Sequence, residues 1–152
     1  MNGERYFLDT NILVYANDRS DAGKHAGAVR LVSEGLRTRR AVISSQVLSE
    51  FWVTVTRKAR VPLSQEVAEA ELSRLGSMKV VPVDYDTVVF AVAMQKRHGV
   101  SYWDALILAA AELSGCSVVY SEDLSHEQRY GDLVVRNPFA ASGDAIAQAG
   151  GP

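Results

Sequence analysis

The sequence predicts an α/β domain of three layers, α/β/α, with a central, mainly parallel sheet of about four to five strands. Short apolar segments alternate with longer segments of helical periodicity, which is the pattern of βα units in a parallel sheet. Of the 152 residues, 47% are hydrophobic and 22% are charged, a composition typical of one globular domain. A chain of this length buries roughly 70% of its unfolded surface, so a single core is sufficient.

The first third of the chain alternates between strands and helices. Residues 5–8 are short and apolar, which indicates a buried strand, and residues 12–17 continue as a short helix or turn. Residues 22–38 have apolar side chains at helical spacing and are predicted as a helix. The apolar segment 41–45 is predicted as the second strand, and it ends in two serines that can cap the next helix.

The middle of the chain continues this alternation. Residues 46–59 carry a stripe of apolar side chains and are predicted as a helix. Pro62 separates this helix from another, predicted over residues 64–75. Residues 78–83 form the third predicted strand, and Pro82 places its end at a sheet edge or exit.

The last part of the chain adds two helices and two strands. The helices are predicted over residues 84–98 and 101–114, and a glycine directly follows each of them. The segment 116–120 is apolar without alternation, as expected of a strand that is covered on both faces. A weaker strand is predicted over residues 133–136.

The chain is expected to form one domain without repeats or linkers. Residues 1–139 form this domain, and residues 140–152 are predicted to be a flexible tail because they contain little apolar mass. The single cysteine, Cys116, cannot form an internal disulfide, which fits a reducing cytoplasm. We expect a cytoplasmic protein without membrane contact, because no apolar run approaches the ~20 residues of a membrane span and the N-terminus lacks a signal-peptide pattern.

The charge balance excludes nucleic-acid binding by overall positive charge. The net charge is −2 and the pI is about 5.9, whereas domains that bind in this way often have a pI above ~9. Local basic clusters remain available, although cations near helix C-termini are also favoured by the helix dipole. These clusters are Arg37, Arg39 and Arg40; Arg57, Lys58 and Arg60; and Lys96, Arg97 and His98.

Four carboxylates fall where a parallel sheet forms its binding site, beyond the carboxyl ends of the strands. Asp9 follows the first strand, and Asp123 follows the strand over residues 116–120. Glu50 lies early in the helix after the second strand, and Asp104 lies in the first turn of an apolar helix. Four converging carboxylates would repel one another unless a cation relieved the repulsion, and Mg²⁺ or Mn²⁺ prefers such oxygen ligands.

Each carboxylate also has a structural interpretation of its own. Asp9 can cap a helix and Asp123 can shape a turn, while Glu50 can pair with Arg57 on the surface. Asp104 stands three residues after Ser101, which fits a capping box. One shared site explains all four positions together.

Four segments, in this order and at these spacings, resemble the PIN-domain nucleases, and in particular the VapC-type toxins of bacterial toxin–antitoxin pairs. The resemblance covers residues 6 to about 139. The segments are "LDTNILVYA", "SQVLSEFWVTVTRK", "GVSYWDALILAAA" and "SEDLSHEQRYGDLVVRNPF".

The resemblance implies an endoribonuclease that cleaves single-stranded RNA and depends on Mg²⁺ or Mn²⁺. Asp9, Glu50, Asp104 and Asp123 correspond to the family's acidic residues, as catalytic residues and metal ligands. A water activated by the carboxylate-bound metal would attack the phosphodiester in line and leave a 5′-phosphate and a 3′-hydroxyl. Residues expected to support the acids are Thr10, Asn11, Ser121 and Glu122, the last as a supporting residue or an alternative ligand.

The resemblance also implies partners. It predicts a homodimer and a small antitoxin that inserts a helix, often with an arginine, into the acidic cleft. Exposed apolar surface on residues 12–17 and 46–60 is a candidate contact for it, although core packing explains the same residues. As RNA contacts around the cleft we consider Arg57, Lys58 and Arg97.

Three other functions are compatible with parts of the pattern. A phosphatase of the haloacid dehalogenase type also has an Asp after its first strand, but it needs a second Asp where this chain has Asn11. An acidic α/β protein-binding module would reserve the carboxylates for a basic partner and would have no nuclease activity. An inactive nuclease scaffold is disfavoured by the intact set of four acids.

Overall fold

The computed structural model describes residues 3–140 and has the predicted α/β architecture. In this part of the chain one sheet contains six strands in the order β3-β2-β1-β4-β6-β5. Neighbouring strands are parallel except for β5, which runs antiparallel to β6. The strands are β1 Arg5–Leu8, β2 Ala41–Ser44, β3 Lys79–Val81, β4 Cys116–Tyr120, β5 Arg129–Tyr130 and β6 Leu133–Arg136.

The sheet in the described residues therefore has six strands, whereas about four to five are expected from the sequence. The additional strand is β5, which has two residues and pairs Arg129 with Val134 and Tyr130 with Leu133. Two residues are too few for any periodicity to be visible in a sequence. Their strand character comes from β6, which provides the hydrogen-bonding partner.

The helices lie close to the predicted positions, and polar side chains cap their N-terminal ends. The side chains of Ser44, Ser64, Asp84 and Ser101 each accept a hydrogen bond from a backbone N–H of the first turn that follows. The helices are α1 Thr10–Tyr15, α2 Ala22–Thr38, α3 Ser45–Val53, α4 Gln65–Leu75, α5 Tyr85–His98 and α6 Tyr102–Leu113.

The helix predicted over residues 46–59 changes its winding before it ends. After Val53 the backbone continues as a π-helical turn over Thr54–Lys58. Such turns are rare and often lie at functional sites. The wider turn alters the directions in which the following basic side chains point, and the apolar periodicity of the sequence does not reveal it.

The core lies on both faces of the sheet, with β1 near its centre. Phe7 and Leu8 of β1 are fully buried. In α6 the whole segment Ala105–Ala111 is buried, so this helix lies within the protein and only its ends meet solvent. None of the helices in the described part of the chain is long and apolar enough to cross a lipid bilayer. The predicted tail, residues 140–152, lies outside the described residues except for Ala140.

Helix α2 approaches the sheet closely at Gly35. A Cβ atom added to this residue would lie 2.3 Å from the Cβ of Ala41 and 3.2 Å from the Tyr6 hydroxyl. Ala41 cannot move without disturbing its strand, and the Tyr6 hydroxyl would have to shift by a few tenths of an ångström. A glycine in the middle of a helix usually lowers stability, so its presence here reflects the close contact between helix and sheet.

We predict that Gly35→Ala destabilises the protein although alanine is the better helix former. The overlap with Ala41 costs about 1–3 kcal/mol and the gain in helix propensity is about 1 kcal/mol, so we expect a net loss of about 1–2 kcal/mol in the free energy of unfolding. Urea denaturation followed by circular dichroism measures this loss.

The matched control is Gly27→Ala in the same helix, where the added Cβ would meet only the Phe139 ring at 3.6 Å, an ordinary contact. This variant should be neutral or more stable by up to about 1 kcal/mol. Equal effects of the two substitutions would contradict the close approach at Gly35.

Candidate active site

Asp9 is a buried carboxylate whose two oxygens are both held by hydrogen bonds. It follows β1 directly, caps α1 and is 8% exposed. Its Oδ1 accepts a hydrogen bond of 2.7 Å from the backbone N–H of Thr10. Its Oδ2 accepts one of 2.7 Å from the hydroxyl of Ser121, which follows β4. Asp9 is therefore a helix cap and also part of a larger polar network.

Ser121 connects Asp9 to the loop that contains Asp123. Because its single hydroxyl proton is donated to Asp9, the same oxygen is free to accept. It accepts hydrogen bonds from the backbone N–H of Asp123 at 3.1 Å and of Leu124 at 3.3 Å. Ser121 is completely buried, so these bonds fix the path of the loop relative to Asp9.

Asn11 holds the same loop with both ends of its side-chain amide. Its Nδ2 donates to Oδ2 of Asp123 at 3.2 Å, and its Oδ1 accepts from the backbone N–H of Glu122 at 3.1 Å. Asn11 and Ser121 thus hold the exposed carboxylate of Asp123 on the same side as Asp9.

Glu50 reaches the same network from α3. Its side chain is exposed, and its Oε1 accepts a hydrogen bond of 2.6 Å from the Thr10 hydroxyl. Its Oε2 accepts a weaker one of 3.3 Å from Gln46, one turn earlier in the helix. Within residues 3–140 it forms no ion pair with Arg57, the alternative that the sequence allowed. Glu50 is therefore tied to the residue that follows Asp9.

Asp104 lies in the first turn of α6 and is half-buried. Its backbone N–H donates to the Ser101 hydroxyl at 3.1 Å, which forms one half of the capping box. Within the described residues its carboxylate accepts no hydrogen bond and forms no ion pair. Its negative charge contributes to raising the pKa of Tyr130, after the larger effect of burial. Asp104 is thus the one predicted acid that no hydrogen bond joins to the network of Asp9.

The pKa of Asp9 reflects mainly its burial. Burial, with a smaller contribution from the negative charges of Asp123 and Glu50, raises the pKa from 3.8 to about 6. The hydrogen bonds from Ser121 and Thr10 oppose this effect, because they stabilise the ionised form. The network therefore orients the carboxylate without neutralising it.

The donor set fits a hard divalent cation with an incomplete protein shell. In the part of the chain described by the structure, no three His, Cys, Asp or Glu side chains are arranged closely enough to hold a metal ion. Mg²⁺ usually keeps several waters and is bound by only one or two carboxylates. Asp9 and Asp123 offer oxygen donors on the same loop-and-helix network, and the pKa of Asp9 is raised mainly by burial and to a smaller extent by the charges of Asp123 and Glu50. A closed cage of all four acids stays a prediction.

A cleft of about 750 Å³ opens beside this network. Its lining includes Glu50 and Asp123 together with two cationic side chains, Lys58 and Arg60. Lys58 is the last residue of the π-helical turn, and both cations are exposed. The cleft is therefore lined by both carboxylates and cationic side chains.

Of the three basic residues that the sequence suggests as RNA contacts, one lines the cleft. Lys58 lines it, whereas Arg57 and Arg97 are exposed but are not among its lining residues. Arg60 lines the cleft and was not predicted as an RNA contact, although it belongs to the same basic cluster as Arg57. The sequence showed the cluster but not which of its members line the cleft, because that depends on how distant segments of the chain pack together.

The Glu122 carboxylate is bonded to two side chains that lie outside the predicted site. Its Oε1 accepts a hydrogen bond of 2.7 Å from the Tyr15 hydroxyl, and its Oε2 forms an ion pair with the ammonium group of Lys24. Its expected role, as a supporting residue or an alternative ligand, stays a prediction. Tyr15 and Lys24 were missed by sequence reasoning, because no motif links them to Glu122.

The comparisons with known proteins agree with this architecture. The PIN domain family profile matches residues 6–131 of the chain. No curated protein gave a significant match.

Several solved structures have a similar fold. A toxin–antitoxin complex from Klebsiella pneumoniae is 18% identical with a TM-score of 0.65, and the match covers 88% of this chain and 97% of that one. VapBC2 from Rickettsia felis, bound to a DNA fragment from its promoter, is 19% identical with a TM-score of 0.61, covering 86% and 96%. VapC20 from Mycobacterium tuberculosis, a toxin that cleaves the sarcin–ricin loop, is 22% identical with a TM-score of 0.58, covering 78% and 89%.

The raised pKa of Asp9 predicts how stability depends on pH without metal. The folded-state pKa of about 6 exceeds the ordinary 3.8. Between these two pH values the carboxyl group of Asp9 is therefore protonated in the folded state and ionised in the unfolded chain. This contribution to the free energy of unfolding is fully present below about pH 4 and is lost as the pH rises through 6. At about 1.4 kcal/mol per pKa unit, the loss is on the order of 2–3 kcal/mol.

We expect Asp9→Asn to lack this loss. Urea denaturation of both proteins in EDTA, from pH 4 to pH 7, gives their free energies of unfolding. The free energy of the native protein should fall relative to that of the variant, because titrating groups that do not interact with Asp9 contribute equally to both. Parallel pH profiles would refute the raised pKa.

Proposed function

The chain belongs to the PIN domain family, and from this premise we propose that it is a metal-dependent endoribonuclease that cleaves single-stranded RNA, the toxin of a toxin–antitoxin module. The observation on which this rests is the network of Asp9, Ser121, Asn11 and Asp123 at the edge of a cleft that also contains Lys58. An oriented Asp9 carboxylate beside an open, partly basic cleft that Asp123 and Glu50 line suits a reaction at a phosphodiester.

Asp9 and Asp123 would hold Mg²⁺ or Mn²⁺, and Glu50 and Asp104 would complete the acidic set. When bound, the cation supplies Lewis acidity and lowers the pKa of a coordinated water, which makes a nucleophile available near neutral pH. Ser121 and Thr10 keep the Asp9 oxygens in fixed directions. Asn11 does the same for Asp123. The orientation of the ligands therefore exists before the cation or the substrate arrives.

Lys58 and Arg60 would receive the phosphates of the RNA. They line the cleft together with Glu50 and Asp123 and supply positive charge that the whole chain, with its net charge of −2, lacks. Their exposed side chains can follow a flexible backbone without reading its sequence. The similar fold of VapC20, a toxin that cleaves the sarcin–ricin loop, supports RNA as the substrate class.

A small antitoxin and a second copy of the chain are the proposed partners. The similar structures from Klebsiella pneumoniae and Rickettsia felis are toxin–antitoxin assemblies, which supports an antitoxin here. The cleft also has an apolar side, where Val53 is 41% exposed. It adjoins a cavity of about 400 Å³, and the two share Val14 and Arg60. Such a surface can accept the apolar face of a partner helix. The homodimer rests on the family resemblance.

Removing a carboxylate from the site should abolish cleavage. We expect Asp9→Asn and Asp104→Asn each to lower the rate at least ~100-fold, since a metal ion stabilises the transition state by several kcal/mol. Labelled single-stranded RNA incubated with each protein in Mn²⁺ gives the rates. EDTA should stop the native protein, and added Mn²⁺ should restore it.

The matched control is Asp86→Asn, because Asp86 is an exposed carboxylate in the first turn of α5, as Asp104 is a carboxylate in the first turn of α6. It should cleave at the native rate. Cleavage that survives chelation, or in Asp9→Asn, would rule out the metal mechanism. If RNA persists with the native protein in Mn²⁺, the acidic protein-binding module becomes the better function.

The basic side of the cleft makes a separate prediction about RNA binding. In an Asp104→Asn background, which prevents cleavage, Lys58→Ala and Arg60→Ala should weaken binding. Each should reduce the dependence of log K on log salt concentration by about 0.7 for each phosphate that the variant no longer neutralises. Fluorescence anisotropy at several salt concentrations measures both quantities.

Arg57→Ala and Arg97→Ala serve as controls, because both residues are exposed cations outside the cleft lining. They should leave the affinity and the salt dependence nearly unchanged. If they weaken binding as much as Lys58→Ala does, the RNA follows a different path.

A further inference from the structure

Glu122 lies between Ser121 and Asp123 of the candidate site, and its carboxylate is held by side chains of α1 and α2. The Tyr15 hydroxyl donates to it at 2.7 Å, and Lys24 pairs with its other oxygen. Lys24 also donates to the Tyr15 oxygen at 3.4 Å, which closes a set of three mutually bonded side chains. We call Tyr15, Lys24 and Glu122 the loop anchor.

The loop anchor is partly sheltered from water by aromatic rings. The ammonium group of Lys24 lies 5.0 Å from the centroid of the Tyr15 ring and 5.7 Å from that of Phe139. The two rings pack edge to face with centroids 5.1 Å apart. The side chains of Lys24 and Glu122 are only 33% and 24% exposed. A pair so placed is screened less by solvent than a surface ion pair.

The loop is therefore held from two directions. On the site side, Asn11 accepts the Glu122 N–H and Ser121 accepts the Asp123 N–H. On the other side, the loop anchor connects the Glu122 side chain to α1 through Tyr15 and to α2 through Lys24. A loop fixed at both its backbone and its side chain has few alternative paths.

We propose that Lys24 and Tyr15 are positioning residues of this active site. By holding the Glu122 carboxylate, they fix the course of residues 121–124, and with it the direction of Asp123. They also keep one more negative charge away from Asp9, where like charges already crowd. The proposal rests on the proposed function, because it concerns the same carboxylates.

The charge of Glu122 is what makes Lys24 necessary. Without Lys24, a partly buried carboxylate keeps Tyr15 as its partner but loses its counter-charge, so it is driven to turn toward solvent or toward the cleft. Either movement displaces the adjacent Asp123. Glutamine at position 122 has the same shape and can still accept from Tyr15, but it needs no counter-charge. Replacing Glu122 with glutamine should therefore restore the position of Asp123 in a protein that lacks Lys24.

A double-mutant cycle tests this expectation. Lys24→Met should weaken Mn²⁺ binding about tenfold, the lower end of the effect of losing a residue that orients a metal ligand, with a parallel fall in the rate of RNA cleavage. Glu122→Gln alone should change both quantities less, and the double variant should resemble Glu122→Gln. Isothermal titration with Mn²⁺ and single-turnover cleavage give the two readouts. Arg30→Met, an exposed cation of the same helix, should behave as the native protein does.

Amide hydrogen exchange tests the anchor without metal or RNA. In EDTA, Lys24→Met should exchange the amides of Asp123 and Leu124 at least ~10-fold faster than the native protein, while Val119 in β4 stays protected. Tyr15→Phe, which keeps the ring and removes only the hydroxyl, should give a smaller increase at the same amides, and it replaces Lys24→Met if that variant does not fold.

The outcomes separate this proposal from the proposed function. Amide exchange at the native rate in both Lys24→Met and Tyr15→Phe would overturn the loop anchor. So would a double variant whose losses in Mn²⁺ affinity and cleavage rate equal the sum of the losses in the two single variants. Failure of the native protein to cleave RNA or to bind Mn²⁺ would instead overturn the proposed function. In that case the exchange rates still decide whether the loop anchor exists.

Discussion

Parallel pairing of β1 with β4 is the constraint on which the candidate site depends. Leu8 and Tyr120 are partners in the register, and the backbone N–H of Asp9 donates to the Tyr120 carbonyl at 3.0 Å. Both strands therefore end at the same level, and Asp9 and Ser121 leave the sheet side by side. Their side chains then meet in a hydrogen bond of 2.7 Å. A shift of one residue would direct them to opposite faces.

Burying the carboxylate of Asp9 lowers the stability of the fold but leaves an oriented negative charge that can bind a cation. Thr10 and Ser121 satisfy its oxygens, so the group is oriented and not strained. No hydrogen bond removes the cost of its burial or the repulsion from Asp123 and Glu50, and the pKa of about 6 reflects both. A perturbed carboxylate in a cleft is a typical feature of a functional site. A site tuned for stability alone would place a cationic side chain here.

The short helix α1 connects the parts of the site. It has six residues and begins directly after Asp9. Thr10 contacts Glu50 on α3, Asn11 contacts the loop after β4, and Tyr15 contacts the side chain of Glu122. Because three of its side chains reach three different partners, any rotation of α1 would disturb all of them together. This explains why a single polar turn after an apolar strand can organise an entire edge of the sheet.

The sequence alone determined the fold class, the helix starts and the four candidate acids. Apolar periodicity, capping residues and the rule that ligands bind at the carboxyl ends of parallel strands are local or topological. Only the tertiary structure decided that Arg129–Tyr130 pairs with β6, that Thr54–Lys58 winds as a π-helix, and that Arg60 faces the cleft. It also decided that Glu122 forms an ion pair with Lys24, 98 residues away in the chain. Such choices depend on which distant side chains become neighbours, and no local pattern encodes that.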